Sequence, residues 1–123
     1  MQLDRIDHFV IPVSDVDTIA AFYERTLGME RITFGEGRTA LRFGRQKINL
    51  QPAGRFDGLV AARHEAGTAD FCLVTTTPVA EAKALLESRG VTIIDGPGPR
   101  SGAEGPIRSI YFRDPDGNLV EIS

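Results

Sequence analysis

At 123 residues, 41% hydrophobic and 25% charged, the chain has the make-up of one ordinary globular domain. Its net charge of −3, with no cluster of Lys or Arg, argues against a nucleic-acid surface. No apolar run approaches the roughly 20 residues of a membrane span, and the opening residues lack the charged and apolar regions of a signal peptide. The single cysteine, Cys72, excludes an internal disulfide and suits a reducing compartment, so a cytoplasmic location is expected.

The first predicted element is a strand over Ile6 to Val13, which Pro12 ends or places at a sheet edge. Ser14 or Asp15 then caps a helix whose apolar residues Val16, Ile19, Ala20, Tyr23 and Leu27 recur at helical spacing. Gly28 is the expected stop. Strands follow over Met29 to Phe34, Thr39 to Phe43 and Lys47 to Gln51, completing a βαβββ unit over about residues 3–52. Residues 53–67 carry no period and read as a linker.

The pattern then restarts, in a second βαβββ unit over about residues 68–123. Asp70 to Val74 is a strand. Thr77 caps a helix with Pro78 at its first position and Val79, Ala82, Leu85 and Leu86 inward, and Gly90 stops it. Strands are predicted over Val91 to Ile94, Ser109 to Phe112 and Leu119 to Ile122. Between the last two, Asp114-Pro115-Asp116-Gly117-Asn118 is a strong turn signal. The Gly- and Pro-rich run from Gly96 to Pro106 is too long for a plain turn and reads as a lid.

Subtracting 62 carries Asp70 onto His8, Phe71 onto Phe9 and Gly90 onto Gly28, the mark of a tandem duplication. The insert from Gly96 to Pro106 explains why Gly90 to Glu121 spans 31 residues and Gly28 to Gln51 only 23. On this alignment His8 matches Asp70, and Gln51 matches Glu121. All four can ligate a metal, and each is out of place in its apolar strand. With a divalent ion the set is neutral, which removes the cost of two unpaired carboxylates. Read singly, each has a plainer use: His8 as a satisfied core histidine, Gln51 as the wet end of a strand, Asp70 as a strand cap, Glu121 as an exposed carboxylate. Their symmetry favours the metal.

The paired units, the Asp7-His8 opening, Phe22-Tyr23 with Leu27-Gly28, and the closing Asp114-Pro115-Asp116-Gly117-Asn118 with Glu121 resemble the vicinal oxygen chelate superfamily. That group holds glyoxalases, bleomycin-resistance proteins and extradiol dioxygenases, and within it the stretches Arg42 to Leu50 and Gly105 to Arg113 most resemble glyoxalase-domain-containing protein 5 and its bacterial relatives. The resemblance spans essentially the whole chain as one glyoxalase-like domain. It implies an α+β fold of tandem βαβββ units forming a curved mixed sheet with a metal-binding cup. It also implies metal ligation by His8, Gln51, Asp70 and Glu121, a divalent Mn, Ni, Fe or Zn ion, and a homodimer. Asp70 departs from the usual His, which disfavours a dioxygenase and makes the site richer in oxygen. His64 on the linker is the spare imidazole.

Other residues are expected to line the same cup. Asn49 shares a strand face with Gln51, and Tyr111 with Arg113; these and Arg100 are candidate substrate contacts. Cys72 reads as a small buried hydrophobe. The chemistry implied is Lewis-acid stabilisation of an enolate or oxyanion by a metal-dependent lyase or isomerase of glyoxalase type. Glu121 or Gln51 serves as proton shuttle, acting on a small oxygenated substrate. An extradiol-type dioxygenase and a metal-free drug-binding protein are the alternatives.

Overall fold

The computed structural model describes residues 1–54 and 58–123, so residues 55–57 of the expected linker lie outside the described residues. The chain divides into two compact units, Met1–Thr68 and Ala69–Ser123.

The first unit contains β1 (His8–Val13), α1 (Val16–Leu27), β2 (Glu30–Phe34), β3 (Arg38–Phe43) and β4 (Gln46–Pro52). Its sheet runs β1-β4-β3-β2, with β1 parallel to β4 and the other pairs antiparallel. Pro12 therefore sits in an edge strand, where its missing N–H costs the ladder least. Of the two possible caps it is Asp15 that starts α1, accepting from the Thr18 N–H at 2.9 Å and the Thr18 hydroxyl at 2.6 Å. Gly28, at φ +67°, ends it and donates its N–H to the carbonyls of Tyr23 and Glu24. The predicted helical stripe buries Ile19, Ala20 and Tyr23, and α1 packs against β2, β3 and β4. The core is completed by Ile11, Val13, Leu41, Ile48 and Leu50, all buried. Each such side chain contributes about 1.5–3 kcal/mol of burial.

The second unit repeats the plan with β5 (Asp70–Leu73), α2 (Val79–Ser88), β6 (Asp95–Gly102), β7 (Gly105–Arg113) and β8 (Leu119–Ile122). Its sheet order, β5-β8-β7-β6 with β5 parallel to β8, matches that of the first unit strand for strand. The β7–β8 turn forms as read: Asp114 Oδ1 accepts from the N–H groups of Asp116 and Asn118, and the Asn118 amide donates to Asp114 Oδ2 at 2.8 Å. Asn118 Oδ1 also accepts the Ala69 N–H at 3.0 Å, tying the turn to the start of β5.

Several expectations are corrected here. Pro78, not Thr77, is the N-cap of α2, and it makes no side-chain cap bond; Thr77 instead donates its N–H to the Thr75 hydroxyl. Leu85 is exposed rather than inward, since the buried stripe of this short helix is Ala82 and Leu86. Residues 91–94 form no strand. The supposed lid is a hairpin, with Gly96 to Gly102 in β6 paired to β7. Pro97 and Pro99 are tolerated there because β6 is the edge of its sheet.

Candidate functional site

In the first unit the register Val10↔Asn49, Ala40↔Asn49 and Pro12↔Gln51 puts Asn49 and Gln51 on the strand face that carries His8. The alternate face holds the apolar core. Asn49 is only 3% exposed, and neither its Oδ1 nor the buried Oε1 of Gln51 has a hydrogen-bond partner among the described residues. Leaving a buried acceptor unsatisfied costs on the order of 1–3 kcal/mol. Both residues line a cavity of ≈ 590 Å³, together with Phe34, Arg38, Thr39 and Pro52.

His8 stands exposed at the start of β1, with Nδ1 2.9 Å from Asp7 Oδ2. That bond, foremost, holds the Asp7 carboxyl below its usual range. It leaves Nε2 without a partner among the described residues. A carboxylate on one imidazole nitrogen is the arrangement that orients metal-binding histidines. His64 is committed elsewhere: its Nε2 lies 3.3 Å from the Pro52 carbonyl.

In the second unit Tyr111↔Glu121↔Cys72 and Arg113↔Leu119↔Asp70 share one sheet face. Glu121 is half-buried and accepts from the Tyr111 hydroxyl, while the neighbouring Cys72 thiol donates to the Ser123 hydroxyl at 3.9 Å. Tyr111 in turn accepts from Arg100 Nε at 3.0 Å, and Arg100 is held by Asp95 at 2.6 Å. Desolvation, reinforced by the bond to Glu121, pushes the Tyr111 phenol up. Cys72 is exposed, not buried as expected, and it stands opposite Glu121 in the register. Its thiol is also pushed up, chiefly by desolvation, with the charge of Glu121 adding to it. Arg113 is used by the turn, donating to the Gly117 carbonyl at 3.1 Å. The Asp70 carboxylate makes no hydrogen bond or ion pair among the described residues, so it is not a strand cap.

Within the units the donors fall into small sets, and among the described residues no three His, Cys, Asp or Glu side chains gather tightly enough to hold a metal ion. The repeat correspondence also shifts. The Lys47 N–H donates to Asp7 and the Leu119 N–H to Ala69, so β4 and β8 align with Lys47 on Leu119. Asn49, rather than Gln51, is thus the counterpart of Glu121, and Gln51 matches Ser123. Counting back from the strand ends missed this by two residues; the matching polar-in-apolar pattern of Ile48-Asn49-Leu50 and Val120-Glu121-Ile122 carries the signal. Ser109 was also missed: its buried Oγ has no partner among the described residues, and it lies on the Tyr111 face.

The family model described as Glyoxalase/Bleomycin resistance protein/Dioxygenase superfamily matches residues 5–122. The chain belongs to this superfamily. Within it, the chain is 48% identical over 123 residues to virulence protein STM3117 of Salmonella typhimurium, covering 100% of this chain and 85% of that protein. The crystal structure of that protein superposes with a TM-score of 0.96 over 99% of this chain and 97% of the other. Metallothiol transferase FosB of Shouchella clausii is 32% identical over 120 residues, 95% of this chain and 77% of that protein. A lactoylglutathione lyase structure from Agrobacterium tumefaciens is 26% identical with a TM-score of 0.74, covering 99% of this chain and 94% of that one. The two mixed four-stranded sheets described above are the βαβββ architecture of the superfamily. Among the described residues no helix is long and apolar enough to cross a membrane.

Proposed function

We propose that this protein is a metal-dependent, glyoxalase-type lyase or isomerase that acts on a small oxygenated substrate, in the cytoplasm and as a homodimer. The observation that carries the reading is the pair of unpartnered carboxamide oxygens, Asn49 Oδ1 and Gln51 Oε1, buried beside a cavity. An acceptor pair kept dry without donors is a cost that a bound cation or substrate hydroxyl removes. The oxygen-rich donor set fits a divalent ion of intermediate or hard character. Its ligands are drawn from His8, Gln51, Asp70 and Glu121, with Asn49 joining them as the repeat partner of Glu121. Two relatives, a metallothiol transferase and a lactoylglutathione lyase, support the same reading.

A divalent ion, when bound, would polarise two neighbouring substrate oxygens and stabilise the negative charge that develops there. The remaining work falls to the chain. Glu121 takes a proton from the substrate and returns it, and the Tyr111 hydroxyl orients its carboxylate. Gln51, which has no proton to titrate, positions a substrate oxygen. Asp7 fixes the ring of His8.

Elemental analysis of protein purified without a His tag tests this. About one equivalent of Mn, Ni, Fe or Zn per chain is expected, lost in His8→Ala. A metal-free wild type that also stays metal-free after incubation with each ion contradicts it.

A further inference from the structure

The ≈ 590 Å³ cavity of the first unit has a second chemical character besides its carboxamides. Arg38 lines it, with its guanidinium carbon 4.5 Å from the centroid of the Phe34 ring. The Lys47 ammonium lies 3.5 Å from the centroid of that same ring. Stacking on an aromatic face suits a cation, but it leaves the N–H donors of Arg38 unspent, and two cations on one ring raise the local positive potential. Neither Arg38 nor Lys47 makes an ion pair with any described residue. Arg42 on the same strand, by contrast, is held by Glu30 through a bidentate bond.

The register fixes what stands across from Arg38. Phe34 pairs with Arg38, and Thr39 pairs with Leu50, so the next position on β4 is Gln51. Directly opposed side chains stand about 5 Å apart at Cβ, and diagonal ones about 7 Å. Within one small molecule's length the face therefore offers a cation at Arg38 and buried acceptors at Gln51 and Asn49. Val16 and Phe34 add apolar surface to the cavity.

We propose that this cavity binds a small organic anion carrying a hydroxyl next to its charged group and an apolar body, a 2-hydroxycarboxylate being the simplest form. The carboxylate pairs with Arg38, the hydroxyl donates its one proton to the carboxamide oxygen of Gln51 or of Asn49, and the apolar body lies against Phe34. The inference deepens the proposed function by naming a substrate class; it rests on that reading for the acid being a substrate, not for its binding.

The test is calorimetric titration of the full chain with mandelate in the presence of EDTA, so that no metal contributes. Saturable binding of mandelate is expected. It should weaken by about tenfold or more in both Arg38→Gln and Arg38→Ala, and remain unchanged in Arg42→Ala. Mandelamide, which lacks the charge, and phenylacetate, which lacks the hydroxyl, should each bind more weakly than mandelate. The absence of saturable mandelate binding, equal binding by the Arg38 variants, or equal binding of either analogue overturns the proposal. Each of these results leaves the elemental analysis untouched, so the two readings fail separately.

Discussion

Glu121 is the residue on which the second unit's chemistry converges, because the Tyr111 hydroxyl donates to its half-buried carboxylate and Cys72 stands beside it in the sheet register. Its charge reaches the Cys72 thiol, whose acidity is already lowered by desolvation. A thiol raised in the fold binds its proton more tightly than in the unfolded chain. It therefore contributes stability that is present below the ordinary thiol range and is lost as pH rises through the folded value. Alkylation of Cys72 by iodoacetamide should accordingly reach its half-maximal rate at a higher pH than a free thiol does. Glu121→Gln should move that midpoint down, and an unchanged midpoint would mean that the carboxylate does not act on the thiol. His8, Asp70 and Glu121 stand out as candidates in the sequence because a polar side chain in an apolar strand needs a partner. The exposure of Cys72 was not legible there, since its neighbours Phe71 and Leu73 gave it the look of a core position.

At the scale of elements, the helix of the first unit could be read closely, because cap, stripe and stop all agree at Asp15, Ile19 to Tyr23, and Gly28. The hairpin of β6 could not. Gly-Pro-Gly-Pro reads locally as a loop, and only the pairing with β7, which no local propensity encodes, makes it a strand. That pairing depends on Gly96, where φ is +85° and an added Cβ would stand 2.2 Å from the Ser109 carbonyl oxygen. The clash cannot be relieved without moving β7, and the positive φ strains any side chain placed there. Gly96→Ala should thus destabilise the chain by on the order of 2–4 kcal/mol in chemical denaturation. A loss near zero would show that the β6–β7 contact is not the one described. The two-residue error in matching Gln51 to Glu121 belongs to the same scale: register is set between strands, and backbone bonds such as Leu119 to Ala69 reveal it where end-counting does not.

The two units share one topology while their polar side chains differ: His8 and Asn49 in one unit stand where Asp70 and Glu121 stand in the other. Each sheet is open, with β1 and β2 at the edges of one and β5 and β6 at the edges of the other. Open edges must be blunted or covered, and the proposed homodimer would cover some of them. Light scattering should therefore return about twice the 13.4 kDa chain mass, and a monomer at micromolar concentration would contradict the dimer. The central claim is that the repeat-related donors bind a divalent ion. Calorimetric titration of apo-protein with Mn²⁺, Ni²⁺, Zn²⁺ and Fe²⁺ tests it most directly. The account predicts saturable binding of at least one ion, weakened by about tenfold or more in His8→Ala and in Glu121→Ala; no binding of any of the four to the wild type, or equal binding by the variants, would contradict it.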